Sequence, residues 1–584
     1  MRQTKIVATI GPASDDSELL VQLIKAGIDV ARLNFSHGNH SEQQARFERI
    51  RAAAKVTDKF VPIILDTKGP ELRLGRFASG PVMLTAGQSF ALYAEERLGD
   101  LQGASISWPT LANEVAIGDR ILIDDGLVEL KVVTKQDQDA HCQVIIGGMI
   151  SDRKGVNIPG RSINMPALSE QDVADIKLGV ELGVDFIAQS FVRGSADVLA
   201  LRRLLEDLEA DIPIIAKIEN QQGVAHLREI LDVADGIMVA RGDLGVEIPA
   251  EEVPLIQKQL IATCNRIGKP VITATQMLES MIRSPRPTRA EASDVANAIF
   301  DGTDAIMLSG ETATGSYPLE AVQTMARIAV HTEQALDYKN LSLRQLNDKS
   351  PNVTDAISHA TVQAAADLRA AAIITSTESG STARMVSRYR PQTPIIAFTT
   401  DAKVARRLNL SWGVHPTLGR RVTSTDEMIS AAIARALDLE LIRNGDLIVL
   451  TAGVPVGVPG TTNLIKVHIV GDVLARGVGI GKSSVTGNVI TSKTAQEAVQ
   501  KMIPGSIVVA IGTDRGYIPV LEQAAGLVTE EGGLTSHGAV VALSLGLPVI
   551  VGVPGATSLL VDGQLVTLDV TRGLIYRGAT HIPS

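Results

Sequence analysis

Lys217 and Glu219 stand two residues apart just after the apolar run 213–216, so in an extended strand both side chains point to one face. Asp243 is expected to end the next strand, the apolar run 236–240 and its polar continuation, within reach of Glu219. Two carboxylates with few other charges nearby make a divalent-cation site, and hard oxygen ligands suit Mg²⁺ or Mn²⁺. A lysine beside that cation would meet the anion it attracts and stabilise charge on a group in transfer. The turn Gly242-Asp243-Leu244-Gly245, if it opens a short helix, offers backbone N–H groups to a carboxylate or phosphate. A Lys–Glu pair can also do no more than hold two strands together; Asp243 and the glycine turn give this pair a second purpose.

Arg32, Asn34, Ser36, Asp66 and Thr67 crowd the ends of two earlier apolar runs. Arg32 suits forked recognition of a phosphate. Asn34, Ser36, Asp66 and Thr67 supply neutral oxygens and one carboxylate, a set that fits a weakly charged cation such as K⁺. Singly, such residues cap helices or make turns; gathered at one face they make a site.

The elements that must position these groups are eight short apolar runs, 5–10, 29–33, 62–65, 185–188, 213–216, 236–240, 270–274 and 305–308. Each ends on polar or charged residues, and helix-period patterns fill most gaps, so they read as βα units with buried parallel strands. Eight such units imply an α/β fold built on a (β/α)8 barrel whose active site lies at the C-terminal strand ends. The barrel is expected over residues 1–68 and 167–340. Residues 69–166, far longer than a βα connection needs, carry β-type stretches and turn signals and read as a small inserted β-barrel domain, a lid on the barrel rim. A polar segment at 339–349 suggests a boundary before a C-terminal α/β domain over 341–471, with strands at 371–376, 394–399 and 446–452. Residues 472–584 are Gly- and Val-rich, with short β runs and few helices, and form a further domain.

Length and composition narrow the function. At 584 residues the chain exceeds one core. A net charge of −10, with no basic cluster, argues against a nucleic-acid binder. Cys142 and Cys264 lack metal-ligand or CxxC spacing, which points to a reducing compartment. With no signal-type segment and no apolar run long enough to span a bilayer, a cytoplasmic protein without a membrane or nucleic-acid partner is expected.

Six stretches carry a specific likeness: KIVATIGPAS from Lys5, ARLNFSHG from Ala31, LDTKGPE from Leu65, AKIEN from Ala216, VARGDLG from Val239 and TATQMLES from Thr273. From residue 1 to about 471 the chain resembles the pyruvate kinase family. The resemblance implies a glycolytic transfer of the phosphoryl group of phosphoenolpyruvate to ADP, giving pyruvate and ATP. Glu219 and Asp243 would hold Mg²⁺, Arg32 would grip the substrate phosphate, and Lys217 would stabilise the phosphoryl group in flight. The Gly242 and Asp243 backbone, with the Thr275 hydroxyl, would receive the carboxylate, and Thr275 would join a proton relay to C3. Asn34, Ser36, Asp66 and Thr67 match the K⁺ site, and Glu71 matches members that require K⁺. Asn34, His37, Arg73 and Lys154 match contacts to the nucleotide. No Walker-type loop is present, as suits a barrel that holds phosphates by metal and strand-end residues. A homotetramer is implied as well.

The loop TSTESGST from Thr375 follows a strand and precedes a helix beginning near Ala383. Hydroxyls and N–H groups at a helix start cradle phosphate, and in pyruvate kinases the matching loop holds the phosphate of an allosteric activator. Thr375, Ser376, Thr377, Ser379, Gly380, Ser381 and Thr382 are therefore the expected effector contacts. Glu378 stands where relatives responsive to fructose bisphosphate often carry lysine; a carboxylate there disfavours a second phosphate, so AMP or a sugar monophosphate is the expected activator.

EGGLTSHGA from Glu531 and LGLPVIVG from Leu545 resemble the swivelling β/α phosphohistidine domain of phosphoenolpyruvate-utilising enzymes. In those enzymes the histidine matching His537 carries a phosphoryl group. Leu534 and Leu543 stand where they usually have arginine, and Gly538 where they have alanine. Without those arginines a phosphoryl dianion is poorly steadied, which favours a structural or regulatory module over a phosphocarrier. For the barrel, a metal-dependent lyase of pyruvate-like enolates would share the two carboxylates but leaves Arg73, Lys154 and the insert unexplained. A catalytically dead sensor has no reason to keep Lys217, Glu219, Asp243 and Thr275 together.

Overall fold

The structure is a computed structural model that describes residues 1–584 except 162, 345–351, 421–423, 454–461, 482–483, 534, 581 and 583–584. One compact unit holds Met1–His359, Thr377–Leu418 and Gly457–Thr462; the other holds Ala360–Ser376, Gly419–Val456 and Asn463–Ser584.

In the first unit the eight apolar runs become strands β1 (Lys5–Thr9), β2 (Val30–Asn34), β3 (Ile63–Asp66), β4 (Phe186–Gln189), β5 (Ile214–Ile218), β6 (Gly236–Ala240), β7 (Val271–Ala274) and β8 (Ala305–Leu308). They close in sequence order into a parallel barrel, β8 returning to β1. Strands buried on both faces need no polar alternation, which is why they read as continuous apolar runs. One set of residues, including Ile6, Ala8, Leu33 and Leu65, packs outward on the helices. The alternate set, Val7, Val30, Ile64, Ile215, Met238, Ile272 and Met307, fills the interior.

Period-two alternation carries the interior face onward to the site. Two residues beyond Val30 and Ile64 come Arg32 and Asp66, and beyond Ile215 come Lys217 and Glu219. Apolar layers thus fill the barrel and a charged layer closes its C-terminal mouth. Asp243 is not on a strand end: β6 stops at Ala240 and Asp243 lies in the first turn of the helix Arg241–Glu247.

The insert builds a seven-stranded sheet with the order Leu72–Arg73, Gly155–Asn157, Arg120–Ile123, Val128–Gln136, Asp139–Ile146, Ser89–Tyr93, Gly103–Ser105. Leu72, Phe90, Ile121, Leu130 and Cys142 belong to its separate core. A short helix, Leu111–Glu114, lies within it without a capping side chain to announce it.

Below the barrel, Leu410 joins the interior apolar cluster. Arg390 reaches Asp304 Oδ2 at 2.8 Å, the Gly302 carbonyl at 2.9 Å and Asn265 Oδ1 at 2.5 Å. The strand Ile395–Thr399 pairs in parallel with Val414–Leu418. That second strand gave no sequence signal because Pro416 interrupts it; a proline survives at a sheet edge, where one side needs no donor. Part of the expected boundary, 345–349, falls outside the described residues, while 338–344 is helical.

In the second unit Ala372–Ser376 pairs in parallel with Leu447–Gly453. Thr462–Ile469, a strand of mostly half-buried and exposed residues, corresponds to no expected apolar run. Among the described residues the last domain is an eight-stranded mixed sheet with four short α-helices and a 3-10 turn at Arg515–Tyr517. Among the described residues no helix is long and apolar enough to cross a membrane, and Cys142 and Cys264 are buried free thiols.

Candidate active site

At the barrel mouth Arg32, Asp66, Lys217, Glu219 and Asp243 form one continuous network. Arg32 Nε donates to Asp66 Oδ2 at 2.6 Å, and its guanidinium also donates to Thr9 Oγ1 at 2.8 Å. Lys217 Nζ lies 3.1 Å from Asp66 Oδ1, 2.8 Å from Glu219 Oε1 and 2.8 Å from Ser190 Oγ. Glu219 Oε2 accepts from the Phe191 N–H at 2.6 Å, and the Glu219 and Asp243 carboxyl groups share a hydrogen bond.

The charges are mutually dependent. Burial opposes the Lys217 ammonium, yet Asp66 and Glu219 outweigh it and hold its pKa above the usual lysine value. Burial would also raise Asp66, but Arg32 and Lys217 on either side keep it below the usual carboxylate range. Burial pushes the Glu219 carboxyl up to about 7, against the pull of Lys217 and with the Asp243 charge adding to the rise. Asp243 is raised too, by burial first, with Lys217 opposing. One lysine does not satisfy both acids. A pair of buried carboxylates that hold on to a proton is a donor set suited to a hard divalent cation.

Asn34 and Asp66 face each other in the β2–β3 register. Asn34 Oδ1 accepts from the Ser36 N–H at 3.1 Å, and Thr67 Oγ1 accepts from the Ser190 N–H at 3.1 Å. Asp66 is already countered by two cations, so the field offered by these oxygens is weak, as a monovalent ion requires.

Thr275 and Gln276 both adopt left-handed backbone, φ +67° and +54°. That is costly for a β-branched residue and persists only where neighbours fix it. Arg241 fixes it, donating to the Thr275 carbonyl at 2.6 Å and the Ala274 carbonyl at 3.3 Å while pairing with Asp294 at 2.8 Å. The result brings Thr275 Oγ1 to 2.8 Å from the Gly242 N–H. The Gly242 amide is therefore not free: a carboxylate received there must take it over from Thr275.

Other expected contacts lie apart from this network. Arg73 grips Glu71 Oε2 at 2.8 Å and 2.5 Å and the Arg153 carbonyl at 2.7 Å; Lys154 Nζ pairs with Asp124 Oδ1 at 2.8 Å. His37 and Ser36 are exposed.

Three comparisons with known proteins bear on this arrangement. The family model described as "Pyruvate kinase, barrel domain" matches residues 1–322, and "Pyruvate kinase, alpha/beta domain" matches 355–468. The chain belongs to the pyruvate kinase family. It is 55% identical to the pyruvate kinase of Geobacillus stearothermophilus and 54% identical to that of Bacillus licheniformis, in each case over all of both chains. A solved pyruvate kinase from Cryptosporidium parvum superposes with a TM-score of 0.77 at 42% identity, covering 80% of this chain and 96% of that one. "PEP-utilising enzyme, mobile domain" matches residues 502–573.

Set in a pyruvate kinase, several supporting residues had no sequence signal as such. Ser190 closes a ring, its Oγ donating to the Thr67 carbonyl at 2.6 Å while accepting from Lys217. Thr9 braces Arg32, and buried Glu311 accepts from the Leu278 and Ser309 N–H groups at 3.0 Å and 2.8 Å. Only their position at strand ends marks them.

In the 375–382 loop Thr375 and Ser376 end a strand of the second unit, Thr375 being buried; its hydroxyl has no partner among the described residues. In the first unit Thr377 donates its N–H to the Phe398 carbonyl at 3.0 Å, and buried Thr382 shares a hydrogen bond with Thr462 at 2.9 Å. Ser379 and Glu378 are exposed, and Gly380, φ +82°, starts the helix Ser381–Ser387 without a capping side chain.

His537 is exposed and opens the helix His537–Leu545, with Nδ1 3.4 Å from Thr513 Oγ1. A Cβ at Gly538 would stand 2.8 Å from that hydroxyl, so glycine there permits the approach. Leu543 is exposed, and Leu534 lies outside the described residues.

Proposed function

We propose that the barrel transfers the phosphoryl group of phosphoenolpyruvate to ADP, and that the carboxylate–lysine network is where transfer occurs. The observation that carries this reading is the unbroken Arg32–Asp66–Lys217–Glu219–Asp243 chain at the barrel mouth. Phosphoryl transfer needs positioning and charge neutralisation rather than a covalent partner, and these side chains supply both. Arg32 binds the phosphate; Lys217, forced to stay charged, faces the group in transfer. The enol C–O–P bond breaks at phosphorus, a β-phosphate oxygen of ADP takes the phosphoryl group, and the enolate gains a proton at C3. Thr275 borders that face as part of the proton relay. The Gly242 and Asp243 backbone, with the Thr275 hydroxyl, receives the carboxylate.

Glu219 and Asp243 would hold Mg²⁺ or Mn²⁺, which when bound screens the negative charge of substrate and phosphoryl group. Asn34, Ser36, Asp66 and Thr67 would hold K⁺. Arg73 and Lys154, with Asn34 and His37, bind the nucleotide after exchanging their present carboxylate partners for phosphate. The enzyme works in the cytoplasm as a homotetramer, and AMP or a sugar monophosphate acts through the 375–382 loop. The test is pyruvate and ATP formation with and without Mg²⁺ and K⁺, in wild type and Glu219→Gln, with AMP, ribose 5-phosphate and fructose 1,6-bisphosphate added in turn. Metal-dependent turnover lost in Glu219→Gln and raised by a monophosphate is expected; activation by fructose 1,6-bisphosphate at low concentration would refute the activator assignment.

The last domain serves as a structural or regulatory module. His537 faces only a threonine hydroxyl among the described contacts, with no arginine to steady a phosphoryl dianion. Incubation with labelled phosphoenolpyruvate should leave no acid-labile phosphate on His537; labelled histidine would make the domain a phosphocarrier.

A further inference from the structure

The loop after β4, Ser190–Arg193, touches both points where the chain passes between barrel and insert. At the entry, Gly69 packs so closely that a Cβ would meet Ser190 Cβ at 2.8 Å and Phe191 Cδ2 at 3.0 Å; only a glycine, here at φ +73°, fits. At the exit, the Arg193 guanidinium donates to the Ile163 carbonyl at 2.8 Å and the Met165 carbonyl at 2.9 Å. Asp197 holds that guanidinium from behind, accepting from Nε at 3.0 Å and from a terminal nitrogen at 2.9 Å, and also accepts the Arg193 N–H at 2.9 Å.

The same loop reaches the catalytic network from its other face. Phe191 has left-handed backbone, φ +54°, unusual for an aromatic residue and a mark of imposed strain. That conformation aims its N–H at Glu219 Oε2, 2.6 Å away. A cavity of about 300 Å³ lies beside the loop, lined by Ile163, Met165, Phe191 and Arg193 among others, which gives the exit segment room to shift.

We propose that Arg193 is a positioning residue that couples the lid's exit hinge to the orientation of Glu219. By clamping Ile163 and Met165 on one side and fixing the backbone two residues from Phe191 on the other, it makes hinge position and the Phe191–Glu219 hydrogen bond one variable. This rests on Glu219 as a metal ligand. Groups that orient a metal ligand without touching the metal typically alter affinity by about 10–100-fold when removed.

The test uses the full chain with Arg193→Lys, which keeps the charge but cannot fork to two carbonyls and Asp197, and with Asp197→Asn, which loosens the same clamp from behind. Two readouts are taken without substrate: hydrogen exchange at the Asn164 and Met165 amides in metal-free protein, and Mn²⁺ affinity by electron paramagnetic resonance. Both variants should speed exchange at the hinge about tenfold or more and weaken Mn²⁺ binding about tenfold. Glu219→Gln measured alongside should lose Mn²⁺ binding; if it does not, the metal-ligand assignment fails rather than the coupling. Faster hinge exchange with unchanged Mn²⁺ affinity would overturn the coupling, as would unchanged exchange. Should Arg193→Lys fail to fold, Asp197→Asn decides by the same criteria.

Discussion

Glu219 and Asp243 stand on neighbouring elements, one just beyond β5 and the other in the first turn after β6, and their carboxyl groups share a hydrogen bond. Both acids are raised, because burial penalises two negative charges that Lys217 alone offsets incompletely. If this pair holds the divalent cation proposed for it, binding must displace a proton.

That exchange fixes a pH dependence. With the Glu219 carboxyl at about 7, a proton competes with the metal below that pH and not above it. Apparent Mg²⁺ affinity should rise as pH climbs from about 6 to 8 and then level, with proton release on binding that shrinks over the same interval. Isothermal titration in two buffers of different ionisation enthalpy measures both; affinity flat across that window would contradict the shift.

Arg241 holds Thr275 in its left-handed conformation through the Thr275 and Ala274 carbonyls. Arg241→Lys cannot make both contacts and keep Asp294, so Thr275 Oγ1 should drift from the Gly242 amide. Misplacement of about an ångström costs on the order of 10²-fold in rate. Steady-state kinetics should show kcat falling by about that factor while the thermal midpoint moves little; wild-type kcat would contradict the role.

Below the barrel, Arg390 is buried and satisfies Asp304, Asn265 and the Gly302 carbonyl together. Removing one partner of a buried pair leaves an uncompensated charge, a loss of about 3–5 kcal/mol. Arg390→Ala should lower stability by that order in chemical denaturation followed by far-ultraviolet circular dichroism, and Asp304→Asn made in the same chain should recover part of it.

Lys5 is buried, donating to the Val414 carbonyl at 2.6 Å, and burial lowers its pKa to about 8. In the unfolded chain a lysine titrates near 10.4. Between those values the unfolded state binds more protons, so the penalty for burying Lys5 is full below about 8 and vanishes above about 10. The wild type should gain about 3 kcal/mol across that interval relative to Lys5→Met. Parallel stability–pH curves for the two proteins would contradict it.

The barrel was legible because strands buried on both faces leave long apolar runs, and its mouth because charged residues interrupt such runs only where solvent or a ligand meets them. Lys217 and Glu219, two apart, announced a shared face directly. What was not legible depends on contacts distant in sequence or on backbone strain. Nothing about Phe191 or Thr275 as residue types signals φ above zero, since glycine and asparagine are the usual occupants. The Arg193 clamp joins residues about 30 apart through carbonyl groups, which carry no sequence identity. Arg73 and Lys154 match nucleotide contacts by resemblance, and the resemblance does not show that each is paired with a carboxylate of the insert, Glu71 and Asp124. Val414–Leu418 escaped notice because the proline that argues against a central strand is harmless at an edge.

The most direct test of the network's role is turnover of phosphoenolpyruvate and ADP by wild type and Lys217→Ala, each with and without K⁺, together with phosphoenolpyruvate binding by fluorescence. Wild-type turnover that requires K⁺ and drops by about 10³-fold in Lys217→Ala, with phosphoenolpyruvate still bound, is the expected result. Lys217→Ala turnover within about tenfold of wild type would show that the ammonium beside Glu219 does not stabilise the group in transfer.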